Sequence, residues 1–231
     1  LFLPSDHHVP DASLFIKTIQ MGASAAEEGS LVTFGVTPTN PHTGYGYIQI
    51  DGAPNGARPV RQFVEKPDHE TALSYLSSGD YYWNAGVFLV RADAFLEAMA
   101  KYAPDILQST NLAVNKQLLD GDFIHLDSES FSSCRSESID YAVFEKHDNV
   151  RMIPFRGAWS DVGSWSAVAE LSEKDDCNNR IVGKGSTYDA ESTYINAPYR
   201  PVVALGTQEL LIVDTADAVL VAATTHAEKV K

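Results

Sequence analysis

Hydrophobic positions along the chain repeat with two different periods, and the alternation between them sets out the elements. Leu14, Phe15, Ile19 and Ala23 fall on one face of a helix that Asp11 caps and that ends near Gly29. Three runs rich in β-branched and aromatic residues, Leu31 to Val36, Tyr47 to Ile50 and Val60 to Val64, are bounded by Gly, Pro or Asn and predict strands. Asp68 to Leu76 predicts a short helix ending at Gly79. The nearly continuous apolar run Ala85 to Val90 predicts a strand buried on both faces, feeding a helix from Ala92 to Tyr102, and Pro104 fits the first turn of another. Ser138 is placed to cap a helix carrying Ile139, Val143 and Phe144, Val150 to Phe155 reads as a strand, and Ser164 is placed to cap a helix through Leu171. Strands alternating with helices imply an α/β sheet covered on both faces.

From about Asn178 the texture changes. Short strands near Ser192 to Ile195, Val202 to Leu205, Glu209 to Val213 and Ala218 to Ala222 are separated by turn residues with no helix between them, which predicts a small all-β appendage. The chain therefore divides into an α/β domain over residues 1–177 and a β-rich region over 178–231. At the other end, Leu1-Phe2-Leu3-Pro4 reads as the last turns of a buried strand already begun, so sequence upstream of Leu1 is expected.

Composition narrows the function classes. A chain of 231 residues with 44% hydrophobic content can bury a substantial core. With 17 Lys and Arg against 31 Asp and Glu, the formal net charge of −14 repels nucleic acid and anionic membrane, so an anionic substrate needs a few placed cations or a metal. Cys134 and Cys177 stand far apart with no second pair, which suggests a reducing compartment rather than a disulfide framework or a Cys-rich zinc site. No apolar run approaches the roughly 20 residues that span a bilayer, and a cytoplasmic protein is expected.

Several acids and amides stand where chemistry is possible. Asp6 follows a strand and precedes a helix, at the carboxyl edge where open α/β sheets bind ligands; it suits a metal, or simply closes the loop. Asp161, in Trp159-Ser160-Asp161-Val162-Gly163-Ser164-Trp165, also lies between a strand and a helix, where it serves as a second metal ligand or as a helix-start acid. Two hard carboxylates with no soft ligand cluster favour Mg²⁺ over zinc. In Phe63-Val64-Glu65-Lys66-Pro67, Pro67 stops the ladder and lets an acid and a base leave the sheet edge, as sugar and phosphate ligands or as a surface ion pair. Gly46 in Gly44-Tyr45-Gly46-Tyr47 allows close backbone approach to a ligand, or makes a hairpin turn. Asn84 in Trp83-Asn84-Ala85-Gly86 both donates and accepts, toward a sugar hydroxyl or in an Asx turn. Asp140, in the first turn of its helix, reads as structural.

Taken in order, these segments, together with Pro4-Ser5-Asp6-His7 and Ser138-Ile139-Asp140-Tyr141-Ala142, resemble the mannose-1-phosphate guanylyltransferase family from Leu1 to about Ala222. The Ser-Ile-Asp-Tyr-Ala and Trp-Ser-Asp-Val-Gly-Ser-Trp segments are the most specific to it. The resemblance implies a Rossmann-like nucleotide-diphospho-sugar transferase sheet and the reaction of GTP with α-D-mannose 1-phosphate to give GDP-mannose and pyrophosphate, by direct in-line attack. It implies that Asp6 and Asp161 hold Mg²⁺, that Glu65, Asn84 and the backbone at Gly46 hold the mannose, and that Lys66 meets its phosphate, with Asp6, Lys66 and Asp161 as the catalytic set. The chain departs from the family in lacking the glycine-rich loop, with its Arg and downstream Lys, that cradles the triphosphate, so this chain alone is expected to turn over little or no GTP. Arg135-Ser136-Glu137 also stands where family members commonly carry a Pro.

Two other functions fit the same residues. One is another sugar-1-phosphate nucleotidyltransferase, sharing the sheet and sugar motifs but not the base; the other is a non-catalytic sugar-phosphate-binding module. Exposed sheet edges would permit a homodimer.

Overall fold

A computed structural model describes residues 1–53 and 55–230. Contacts divide the chain into two units, one of residues 1–5 and 9–158, the other of residues 6–8 and everything from Trp159 onward. Among the described residues no helix is long and apolar enough to cross a membrane.

The larger unit opens with α1 (Ala12–Met21), whose first turn is closed by Asp11 Oδ1 accepting from the Leu14 amide at 2.8 Å. The single helix expected as far as Gly29 is broken at Gly22 and resumes as α2 (Ala23–Glu27). The chain packs closely at the break: a Cβ on Gly22 would lie 3.1 Å from Val32 Cγ1 and 3.3 Å from Leu89 Cδ2, so a larger residue would push these side chains back by a few tenths of an ångström. Next come β1 (Leu31–Val36), β2 (Tyr47–Ile50), β3 (Arg58–Val64), α3 (His69–Ser78) and β4 (Tyr81–Leu89). They are followed by α4 (Ala92–Tyr102), α5 (Pro104–Asn115), the hairpin of β5 (Leu118–Asp120) and β6 (Phe123–His125), and α6 (Ser128–Ser132). A π-helical turn, Asp140–Phe144, and β7 (Val150–Phe155) complete the unit. The hairpin and α6 have no counterpart in the sequence pattern, and Leu118, Leu119 and Phe123 are more than 70% exposed, so no buried face marked them.

Fully buried β1 lies parallel to β7 on one side and antiparallel to β4 on the other. β4 pairs with β2, β2 with β3, and β3 returns to β7, all antiparallel, so the five strands close on one another. Leu31, Ile48, Phe63, Phe88, Phe144 and Met152 form the core, with the Phe88 and Phe144 rings 4.2 Å apart. The strand expected at residues 1–4 is reduced to one bridge between Phe2 and Phe88, and Leu1, Phe2 and Leu3 are each at least half exposed rather than buried. Ser138 does not cap its helix with its side chain; the turn there is π-type, with Ile139 at the cap position.

In the smaller unit, Ser164 Oγ accepts from the Ala167 amide at 3.2 Å and caps α7 (Trp165–Glu170) as its sequence predicts. Then follow β8 (Arg180–Tyr188), β9 (Tyr194–Leu205), β10 (Leu210–Asp214), β11 (Val219–Ala223) and a 3-10 helix, Thr224–Lys229. β8, β9 and β10 run parallel, and β11 closes the sheet antiparallel. The two strands expected at 192–195 and 202–205 are one continuous strand, β9. β8 has no counterpart in the sequence pattern, because Arg180–Tyr188 is largely exposed and carries no apolar alternation; its backbone ladder with β9 defines it. Tyr194, Leu211 and Val213 pack with Ala169, and buried Asp214 takes the Arg200 guanidinium at 2.7 Å.

Candidate active site

In the larger unit the ends of β2 and β3 and the middle of β4 bring Gly46, Glu65, Lys66 and Asn84 together. Asn84 was expected just ahead of its strand but lies inside β4, at a bulge where the ladder with β1 slips between Thr33 opposite Phe88 and Gly35 opposite Asn84. Bulges of this kind re-aim side chains out of the regular pleat. The Asn84 amide donates to Gly46 O at 2.8 Å, and the Lys66 amide donates to Tyr45 O at 3.3 Å, so the Tyr45–Gly46 segment is tied to both neighbouring strands.

Glu65 fills the space that the absent side chain of Gly46 leaves. A Cβ there would collide with Glu65 Oε2 and stand 3.3 Å from Asn84 Cβ. The Glu65 side chain is only 9% exposed, whereas Lys66 is 58% exposed with Nζ 3.4 Å from Glu65 Oε1. Lys66 adopts φ +47°, a left-handed conformation that costs a non-glycine residue about 1 kcal/mol. The Glu65 amide donates to Glu145 Oε1 at 2.9 Å.

Electrostatics follow from this crowding. Burial pushes the Glu65 carboxyl above the usual range, the Asp140 charge adds to it, and Lys66 opposes it. Asp140 is raised as well, by burial above all, against the hydrogen bond that Asn84 donates to it. An aromatic wall stands alongside: the Tyr45 and His42 rings stack at 3.9 Å, and Trp83 meets Tyr45 edge-on at 5.1 Å. A buried acid, an exposed cation, a carboxamide and aromatic faces suit a polar, hydroxyl-rich anion.

The smaller unit holds the other two predicted residues. His8 and Ser160 exchange backbone hydrogen bonds at 2.8 and 3.1 Å, which brings Asp6 and Asp161 to one short antiparallel bridge. Both carboxylates act on His7, whose pKa is lowered by burial and raised in opposition by the charges of Asp161 and then Asp6. His7 Nδ1 accepts from Trp159 Nε1 at 3.2 Å. Asp161 Oδ1 accepts from the Gly163 amide at 3.1 Å, so the helix-start loop uses part of this carboxylate. Two hard oxygen donors on one patch fit Mg²⁺, which takes one or two carboxylates and fills its remaining positions with water and phosphate. Among the described residues no group of three His, Cys, Asp or Glu is arranged to hold a metal by itself, so a cage made wholly of protein is not what this patch offers.

Three neighbours escaped the sequence reading. Thr33, in the middle of a buried strand, reads as an ordinary β-former, yet its hydroxyl donates to Asn84 Oδ1 at 3.0 Å. Asp140 reads as a helix-start acid and instead accepts from Asn84 Nδ2 at 2.8 Å. Glu145 carries no local signal at all.

Residues 1–178 match the nucleotidyl transferase family, and the chain belongs to it. Within that class its similarity points to a narrower group. The chain is 47% identical to a mannose-1-phosphate guanylyltransferase of Salmonella montevideo, aligning over its full length with 50% of that protein. It is 43% identical to a mannose-1-phosphate guanylyltransferase of Escherichia coli, again over all of this chain and 50% of that one. The xanthan biosynthesis protein XanB of Xanthomonas campestris pv. campestris is 44% identical over all of this chain and 49% of its own length. The chain thus spans about half the length of the curated relatives it matches. A crystal structure described as mannose-1-phosphate geranyltransferase from Thermus thermophilus superimposes with a TM-score of 0.85 at 31% identity, covering 98% of this chain and 66% of that one.

Proposed function

We propose that this chain carries the sugar-phosphate and metal-binding residues of a protein that transfers GMP from GTP to α-D-mannose 1-phosphate, giving GDP-mannose and pyrophosphate. The observation that carries the reading is the cradle in which Glu65 occupies the place of a Gly46 side chain, beside Asn84 and 3.4 Å from the Lys66 ammonium. The choice of mannose and of guanosine rests on what the similar proteins are named for.

In this reading Glu65, Asn84 and the Gly46 backbone hold the mannose hydroxyls, and exposed Lys66 meets the sugar phosphate as a point charge. Holding the phosphate oxygen at fixed distance and direction is what in-line attack on the α-phosphorus of GTP requires. Lys66 also offsets the negative charge that two phosphate groups bring together. Asp6 and Asp161 would hold Mg²⁺, which when bound supplies charge neutralisation to the phosphoryl oxygens. The reading sets the chain in the cytoplasm, a reducing compartment that suits its free Cys134 and Cys177.

Isothermal titration of α-mannose 1-phosphate into the chain and into a Glu65→Ala, Lys66→Ala double variant tests the reading. Saturable binding that the double variant loses supports it. Equal binding by both, or none by a demonstrably folded wild-type chain, contradicts it.

A further inference from the structure

The Asn84 carboxamide is held from both ends. The Gly86 amide lies 3.2 Å from Oδ1, and a backbone N–H only donates, so the atom it faces is the oxygen. Asp140 Oδ1 lies 2.8 Å from Nδ2, and an ionised carboxylate only accepts, so the atom it faces is the amino group. Two independent partners therefore select the same orientation. Thr33 follows from it: facing Oδ1 at 3.0 Å, its hydroxyl donates a hydrogen bond there, with the Val87 carbonyl the more distant alternative at 3.4 Å.

These contacts exhaust most of what the carboxamide has. Both lone pairs of Oδ1 are taken, by Thr33 and Gly86, and one of the two Nδ2 hydrogens is given to Asp140. What is left for a ligand is a single N–H. An Asn free to turn would offer a donor or an acceptor to any hydroxyl, whereas this one is committed, and Glu65 beside it is an acceptor when ionised. Thr33 is fully buried and Asn84 is 9% exposed, so water does not stand in readily for a missing partner.

We propose that Thr33 and Asp140 are positioning residues that fix the Asn84 carboxamide as a one-hydrogen donor, so that it reads the oxygen of a sugar hydroxyl while Glu65 takes hydroxyl hydrogens. The hydroxyl half of this proposal rests on the sugar-phosphate reading above; the orientation of the amide does not.

The experiment pairs two readouts on the chain and on four variants: Thr33→Val and Asp140→Leu, which remove the partner, and Thr33→Ser and Asp140→Asn, which keep a hydroxyl or an acceptor oxygen. The first readout is hydrogen exchange of the Asn84 side-chain amide by nitrogen-15 NMR without ligand. One amide hydrogen is expected to be protected in the wild type, and that protection to fall in Thr33→Val and Asp140→Leu and to persist in Thr33→Ser and Asp140→Asn. The second is affinity for α-mannose 1-phosphate and for inorganic phosphate. Sugar-phosphate affinity is expected to fall about tenfold or more in the two disruptive variants, the size of one misplaced hydrogen bond, with phosphate affinity unchanged and the conservative variants near wild type.

Wild-type amide exchange in folded Thr33→Val overturns the positioning role of Thr33, and wild-type exchange in folded Asp140→Leu overturns that of Asp140. Equal losses of sugar phosphate and of inorganic phosphate overturn the hydroxyl-reading role. A protected amide in a wild-type chain that does not bind α-mannose 1-phosphate sinks the sugar reading and supports the amide lock.

Discussion

Glu65 Oε2 occupies the position that a side chain on Gly46 would need. The two residues come from different strand ends, so the acid is aimed by the absence of an atom on its neighbour. Gly46→Ala is therefore expected to displace the Glu65 carboxylate and lower α-mannose 1-phosphate affinity about tenfold to a hundredfold, the range of a hydrogen bond to a charged group. Titration calorimetry checks it, with circular dichroism showing that the fold persists.

Glu65 should cost stability where it serves binding. Its carboxyl is pushed up by burial first, then by Asp140, against Lys66. The folded chain then keeps this proton to higher pH than the unfolded chain does. Stability falls as pH climbs from the ordinary glutamate value of about 4.3 through the raised folded value, and stays lower above it. Glu65→Gln is expected to melt higher than wild type at pH 7, with the difference shrinking toward pH 4; a lower melting temperature for the variant at pH 7 contradicts this.

Phe144 anchors the π-helical turn that carries Asp140. It is 1% exposed and its ring lies 4.2 Å from that of Phe88. Phe144→Ala is expected to cost about 3–5 kcal/mol, read by urea unfolding, as a large cavity in a packed core does.

Asp11 closes the first turn of α1 through a 2.8 Å bond to the Leu14 amide. Asp11→Ala is expected to lower unfolding stability by about 1 kcal/mol with no change in sugar-phosphate affinity, the ordinary cost of a lost cap. The same pair of measurements reads both.

Asp6 and Asp161 flank the His8–Ser160 bridge, and the charges of both act on His7. If they hold Mg²⁺, Asp6→Asn and Asp161→Asn each weaken magnesium binding, and the double variant abolishes it. Titration with MgCl₂ decides, and undiminished binding by the double variant rules these two carboxylates out.

The chain reveals the strands that are largely buried more readily than those held by pairing alone. β1, β2 and β7 stand out because apolar, aromatic and β-branched residues dominate them, and Asp11, Asp68 and Ser164 announce their helices by cap chemistry. β8 and the β5–β6 hairpin are invisible because their side chains are exposed and only a backbone ladder defines them. At the candidate site, Gly46, Glu65 and Lys66 are legible as local motifs at strand ends, and Asn84 as a motif whose place inside β4 the sequence does not show. Thr33 and Asp140 are not, since their role is a contact across 51 and 56 residues of chain with an amide whose position depends on a bulge.

The most direct test of the central claim is a crystal structure of the chain with α-mannose 1-phosphate bound. Sugar hydroxyls are expected against Glu65 and the Asn84 amide, with the phosphate at Lys66. A sugar phosphate bound elsewhere, with Glu65 and Asn84 untouched, contradicts it.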